Sequence, residues 1–363
     1  MTGLLPEGFH DRLPPLADAA GRLEACVLGV AHGYGYERAD PPMAEFADAL
    51  SSRLKAGGMR DAVRFVDPVS QRTLAIRPDM TAQIGRIAAT RMAHHPRPVR
   101  LSYAGPVMKL RASELRPERA MRQIGCELIG LDSVAAAGEI VRVAVEALRA
   151  AGVEGLAVDF TLPDLVDTLA GNSVAADKLD ALRERLDAKD AGGVAAIDPA
   201  YLPLIEAAGP FDAAMHRLSG IDALKSRLAG LAQVAASIGP GVALTLDPTE
   251  RHGFEYQSWL GFSIFAAGVR GEIGRGGTYS IIHEDGHEEA AVGFSLYADP
   301  ILDAGLGGGE RRRLFLPLGT DPAHGAALRA DGWVTVAALE EGDTPAAQLC
   351  SHVLGTGGPE KVA

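Results

Sequence analysis

Cysteine is scarce: Cys26, Cys126 and Cys350 are the only three in 363 residues, far apart and without a C-x-x-C pair. That excludes a disulfide framework and a thiolate zinc site, and predicts reduced, buried thiols in a cytoplasmic protein. Basic residues are outnumbered, 35 Lys+Arg against 47 Asp+Glu, for a net charge of −12. A broad phosphate-neutralising surface is therefore not expected, and neither is a nucleic-acid partner. No stretch approaches the ~20 apolar residues of a membrane span. The start, MTGLLPEGFHDRLPP, lacks a basic segment followed by an apolar run, so it does not read as a secretory signal. The P-loop pattern G-x-x-x-x-G-K-[ST] is also absent.

What is present is ordinary globular composition, 47% hydrophobic and 23% charged, over a length that suits two or three domains. Leu16, Ala19, Leu23, Val27 and Val30 recur at helical spacing and predict an amphipathic helix over 16–32. Residues 62–66 and 73–77 read as a hairpin joined by DPVSQ. Pro78 and Asp79 open a helix, with proline in its first turn. Residues 99–110 and 119–130 read as two strands, 134–151 as a helix and 158–163 as a strand. From Asp164 to about Ile238 the chain reads as almost continuous helix, broken at Gly192–Gly193 and at 207–210. Three β segments follow, with the glycine-dense GVRGEIGRGGTYS between the second and third. GLGGGE (305–310) reads as a linker, and 311–363 as a small β-α-β segment whose last residues should fray. Hairpins with a helical block among strands predict an α+β fold with an antiparallel sheet flanked by helices. The division expected is 1–304, with a helical insertion at about 164–238, and 311–363.

Three groups of residues could carry chemistry. Arg77-Pro78-Asp79-Met80-Thr81 brings a carboxylate, a hydroxyl and helix N-terminal amides to one place; a helix cap explains the same residues. In RQIGCELIG, period 2 puts Gln123, Gly125 and Glu127 on one face, which either meets solvent or lines a polar pocket. The glycine between them leaves room over the sheet for a ligand. Paired carboxylates, Asp79 and Glu127, suit a cationic amino group taken out of water. The glycines of GVRGEIGRGGTYS serve turns or bulges, or a site.

Taken in order, these segments resemble the catalytic core of a class II aminoacyl-tRNA synthetase, the histidyl enzyme in particular, over roughly residues 4–302. YGYERADPPMAEF resembles the first class II motif, with Pro41 in the place of its proline, and TLAIRPDMT resembles the histidyl LRPEGT segment. VMKLRASELRPERAMRQIGCELIG resembles the second motif and AVGFSLYADPIL the third. HGFEYQ resembles RGLDYY, and GGTYS resembles GGRYD. The resemblance implies a histidine-binding set of Asp79, Thr81, Gln123, Glu127, Tyr256 and Tyr279. Gln257 stands in place of a second tyrosine, weakening the imidazole end.

The nucleotide apparatus departs from that pattern. The arginine that would grip the α-phosphate is Lys109, and the glutamate after it is Arg111. A further arginine is Pro117, although Arg119 keeps one positive charge; the histidine-motif arginine is His252, beside Arg251; and the arginine that would stack on adenine is Pro300. A planar guanidinium on a base has no substitute in a proline ring, and adenylation needs positive charge on the phosphates as charge shifts. The fifty or so residues after the linker are too few for an anticodon-binding domain. The pattern resembles instead the regulatory subunits of ATP phosphoribosyltransferase, whose Asp-Met version of the LRPEGT segment matches IRPDMTAQIGR. That implies a non-catalytic, cofactor-free homodimer built through the class II core, binding a short catalytic subunit, with L-histidine as effector. The alternative is a divergent class II ligase activating an amino acid with ATP.

Overall fold

A computed structural model describes residues 4–51, 62–111, 117–170, 174–251, 257–306 and 312–362. The chain divides into two compact units, 1–308 and 309–363.

In the larger unit α1 (Leu16–Gly33) turns Ala19, Leu23 and Val27 inward as its spacing predicts, together with Ala31, whereas Leu16 is exposed and Val30 half-buried. β1 (Glu37–Arg38) then leads to a small three-stranded sheet. This is formed by β2 (Ala44–Phe46), followed by α2 (Ala47–Ser51), and by the hairpin β3 (Arg64–Val66) and β4 (Thr73–Ile76), in the order β2-β4-β3. α3 (Thr81–Thr90) starts three residues after Pro78, so the proline lies ahead of the first turn rather than in it. β5 (Val99–Met108) and β6 (Ala120–Ile129) form a long antiparallel pair.

Ser133 caps α4 (Val134–Ala150) by accepting the Ala136 N–H at 3.1 Å. This helix is buried nearly all round, because it lies against α1 on one side and against a later helix on another. β7 (Leu156–Thr161) precedes the helical block, made of α5 (Leu165–Ala170), α6 (Ala176–Asp187), α7 (Ala191–Ile197), α8 (Leu202–Glu206), α9 (Phe211–Leu218) and α10 (Lys225–Ser237). A two-residue strand, β8 (Gly209–Pro210), interrupts it. The break expected at Gly192–Gly193 falls instead at 188–190: both glycines sit in the first turn of α7, where Asp190 accepts the Gly193 N–H at 2.9 Å. Leu182, Leu186, Val194, Leu204, Leu218, Leu231 and Val234 join the main core, so the apolar stripes of these helices are already covered.

β9 (Ala243–Leu246), β10 (Gln257–Ala266), β11 (Gly274–Ile282) and β12 (Glu288–Tyr297) complete the sheet, and α11 (Ala298–Asp303) follows. Among the described residues the strand order is β1-β5-β6-β12-β11-β10-β7-β9-β8. The centre is antiparallel and only β1/β5 and β7/β9 are parallel, an α+β architecture. β11 corrects the reading of its glycines as turn-formers, since Gly274, Gly276 and Gly277 lie within the strand. A methyl on Gly276 would stand 2.3 Å from the Gly293 carbonyl and 2.4 Å from the Phe262 ring, so glycine is what lets three strands close up here.

The smaller unit has β13 (Arg313–Leu316), α12 (Pro322–Ala330), β14 (Val334–Ala337), β15 (His352–Gly355) and β16 (Gly358–Lys361), ordered β14-β13-β15-β16. The terminal residues do not fray; they form the β15–β16 hairpin. No helix among the described residues is long and apolar enough to cross a membrane.

Candidate functional site

Register assembles the site. On β6, Glu127 faces Gly293 of β12 and Gly125 faces both Ser295 of β12 and Tyr103 of β5. Cross-strand partners share a face, so this face carries Gln123, Glu127, Tyr103 and Ser295 together. It meets no solvent: Gln123 and Glu127 are essentially fully buried. The room expected above Gly125 is filled, because a methyl there would lie 2.4 Å from the Tyr103 hydroxyl.

The start of α3 closes over this face. The Met80 N–H donates to Gln123 Oε1 at 2.9 Å and the Thr81 N–H to Asp79 Oδ1 at 2.7 Å, which satisfies two amides a helix start leaves open. Gln123 Nε2 donates to Asp79 Oδ2 at 2.6 Å and to Ser295 Oγ at 2.7 Å. The Tyr103 hydroxyl donates to Glu127 Oε1 at 3.0 Å and lies 3.0 Å from Ser295 Oγ and 3.4 Å from Thr81 Oγ1. The Tyr279 hydroxyl, from β11, donates to Glu127 Oε2 at 2.7 Å. Five of the residues singled out in the sequence, Asp79, Thr81, Gln123, Glu127 and Tyr279, thus form one network. Asp79, Thr81, Glu127 and Tyr279 also line a cleft with Gln257, Arg275 and Ser295. Tyr256 and His252 lie outside the described residues.

Burial pushes the Glu127 carboxyl up to about 8; the Tyr279 and Tyr103 hydroxyls pull it back, and Asp79 adds to the rise. Near neutral pH this carboxyl holds a proton that an arriving cation would displace. Burial, with the charges of Glu127 and Asp79, also holds the Tyr103 hydroxyl well above its ordinary value. Tyr103 and Ser295 were not among the residues picked out of the sequence. Tyr103 reads there as a core aromatic, and the one signal that could have found it is its place directly opposite Gly125. Arg77 proves structural: buried, it donates to the carbonyls of Pro106 at 2.8 Å and Pro41 at 2.7 Å.

The positions matched to a nucleotide site are engaged elsewhere or spread apart. Arg119 lays its guanidinium 4.8 Å from the centre of the Phe9 ring, donates Nε to the Lys109 carbonyl at 3.3 Å, and gives its N–H to Gly8 O at 2.9 Å. Lys109 returns its N–H to the Arg119 carbonyl at 2.7 Å. Arg111 and Pro117 are exposed, on either side of residues 112–116. Pro300 lies in α11 beside Asp299, whose carboxylate accepts the Arg122 N–H at 2.7 Å and the Arg12 guanidinium at 2.5 Å. Among the described residues no group of three His, Cys, Asp or Glu side chains is placed to hold a metal ion.

A family model described as histidyl-tRNA synthetase matches residues 8–301. An ATP phosphoribosyltransferase regulatory subunit of Rhodospirillum centenum is 42% identical, covering 96% of this chain and 94% of its own length. Among solved structures, an ATP phosphoribosyltransferase regulatory subunit/histidyl-tRNA synthetase from Bacillus halodurans superposes with a TM-score of 0.77 at 22% identity, over 96% of both chains. A chain of the ATP phosphoribosyl transferase (HisG:HisZ) complex from Thermotoga maritima gives 0.60 at 18% identity, over 77% of this chain and 97% of that one.

Proposed function

Since the chain belongs to the ATP phosphoribosyltransferase regulatory subunit family, we propose that it is the non-catalytic partner of that enzyme's short catalytic subunit. In this reading it is required for the first step of histidine biosynthesis and makes that step sensitive to histidine. It acts in the cytoplasm as a homodimer joined through the class II core, and carries out no aminoacylation.

One observation supports the reading: Asp79, Gln123, Glu127 and Tyr279 share one acid-and-amide network, while Arg119, at a position matched to the phosphate site, is tied to the Phe9 ring and the Lys109 carbonyl. A pocket of this kind takes an amino acid without activating it. The ligand's ammonium goes to the Asp79 and Glu127 carboxylates, where opposite charge offsets desolvation. Thr81 and Gln123 hold Asp79 in place, and Tyr103 and Tyr279 hold Glu127, so the site is ordered before the ligand enters. Feedback then needs histidine to bind the inactive assembly more tightly than the active one; coupling of about 1–3 kcal/mol is enough. The fold shared with a chain of the HisG:HisZ complex supports a catalytic partner for this one.

The test mixes the purified chain with the short catalytic subunit of the same organism and follows phosphoribosyl-ATP formation as histidine is raised. Strong activation that histidine reverses is the expected result; no activation together with no co-elution overturns the reading. Asp79→Ala should weaken histidine binding by about tenfold or more, by loss of the ammonium's acceptor. Unchanged affinity by calorimetry would put the sensor elsewhere.

A further inference from the structure

Two buried donors outside the cleft have nothing to donate to. The Nε atoms of Arg183, on α6, and Arg251, in the segment after β9, are both buried and have no hydrogen-bond partner among the described residues. The two residues meet at one face of α6. Asp187, one helical turn after Arg183, accepts the Arg251 N–H at 2.8 Å. Burial, with the nearby Arg251 charge, holds the Arg183 guanidinium below its ordinary value. Neither arginine lines the amino-acid cleft. The terminal nitrogens of Arg183 are taken: Nη1 donates to Asp180 Oδ1 at 2.6 Å and Nη2 to Asp167 Oδ1. Those carboxylates are 87% and 51% exposed, so water screens their charge, whereas the two Nε atoms are out of water. The Arg251 guanidinium makes no hydrogen bond or ion pair among the described residues, which leaves its fork of donors open.

We propose that Arg183 and Arg251 form a binding site for a phosphoryl group, held between α6 and the segment that leads from β9 towards β10. Buried donors are nearly always paired, and two like charges drawn together out of water are unfavourable until an anion joins them. A water molecule can accept from both Nε atoms, but it leaves the two charges unopposed. The donors also distinguish among anions. Arg251 offers Nε and a terminal nitrogen side by side, and Arg183 adds its Nε. A phosphoryl group has three oxygens to receive them, where a carboxylate has two. The site stands apart from the amino-acid cleft, so it does not depend on the histidine reading.

The experiment titrates inorganic phosphate into the full-length protein and into Arg251→Gln, read by calorimetry and by melting temperature. Phosphate at millimolar concentration should raise the melting temperature of the natural protein, and sodium chloride at matched ionic strength should not. Arg251→Gln should bind phosphate about tenfold or more weakly. Arg251→Lys, which keeps the charge but not the fork, should weaken binding as well. Glycerol 3-phosphate binding more tightly than phosphate assigns the site to a phosphate ester, and the reverse assigns it to the free ion; both support the inference. No response to either phosphate compound overturns it, as does equal phosphate affinity in Arg251→Gln or equal stabilisation by acetate. Should Arg251→Gln not fold, Arg251→Met, which keeps most of the apolar stem, carries the same comparison.

Discussion

Glu127 owes its setting to a missing methyl: a Cβ on Gly293 would stand 1.6 Å from its Oε2. In that slot its carboxyl titrates near 8 rather than near 4.5. The folded protein therefore holds this proton more tightly than the unfolded chain does. The stabilisation is complete below about pH 4.5 and is lost as pH rises through about 8. Urea midpoints measured between those limits should fall more steeply with pH for the natural protein than for Glu127→Gln, which has no proton to lose. A cationic ligand favours the ionised carboxylate, so below about pH 8 histidine binding should release a proton. Calorimetry in buffers of different ionisation heat reads that proton directly, and Glu127→Gln should abolish it. At this scale the sequence was informative wherever alternation or motif order applied, as for Gln123, Glu127 and Asp79. It was silent on Tyr103, because a tyrosine in a strand buried on both faces looks like any core aromatic.

The strands and helices were legible where pattern and propensity agree, as in α1, α4 and the β5–β6 pair. They were obscured where glycine acts against its propensity. β11 carries three glycines and reads as turn, yet it is a central strand because Phe262 and the Gly293 carbonyl approach too closely for any side chain. Gly276→Ala should accordingly destabilise the protein by about 1–3 kcal/mol, through overpacking that backbone atoms cannot relieve; thermal or urea unfolding measures it. Gly192 and Gly193 misled in the same way, because the Asp190 cap carries the chain into α7 despite them. The N-terminal segment is held by side chains that no periodicity announces: Arg12 pairs with Asp299 and Asp303 of α11, and Asp299 also takes the Arg122 N–H. Asp299→Ala removes the shared acceptor, costs about 1–3 kcal/mol, and should speed tryptic cleavage after Arg12.

Across the whole chain, a net charge of −12 predicts little affinity for tRNA. Filter binding should retain no more of it at low salt than at physiological salt; retention that falls steeply with salt would contradict this. Among its described residues the helical block offers no uncovered apolar stripe, its core leucines being packed inside, so a docking surface for a partner is not written in their hydrophobic periodicity. The N-terminal segment also has a bearing on descent. Phe9 and Gly8 hold Arg119, while Arg12 holds α11 beside Pro300. Restoring arginine at position 300 would add a guanidinium to a neighbourhood that already pairs Arg12 with Asp299, and would leave Arg119 still bound to Phe9. A return to the synthetase pattern at these positions would thus take several simultaneous changes. On the regulatory reading proposed above, such a change behaves as a ratchet that no single substitution reverses.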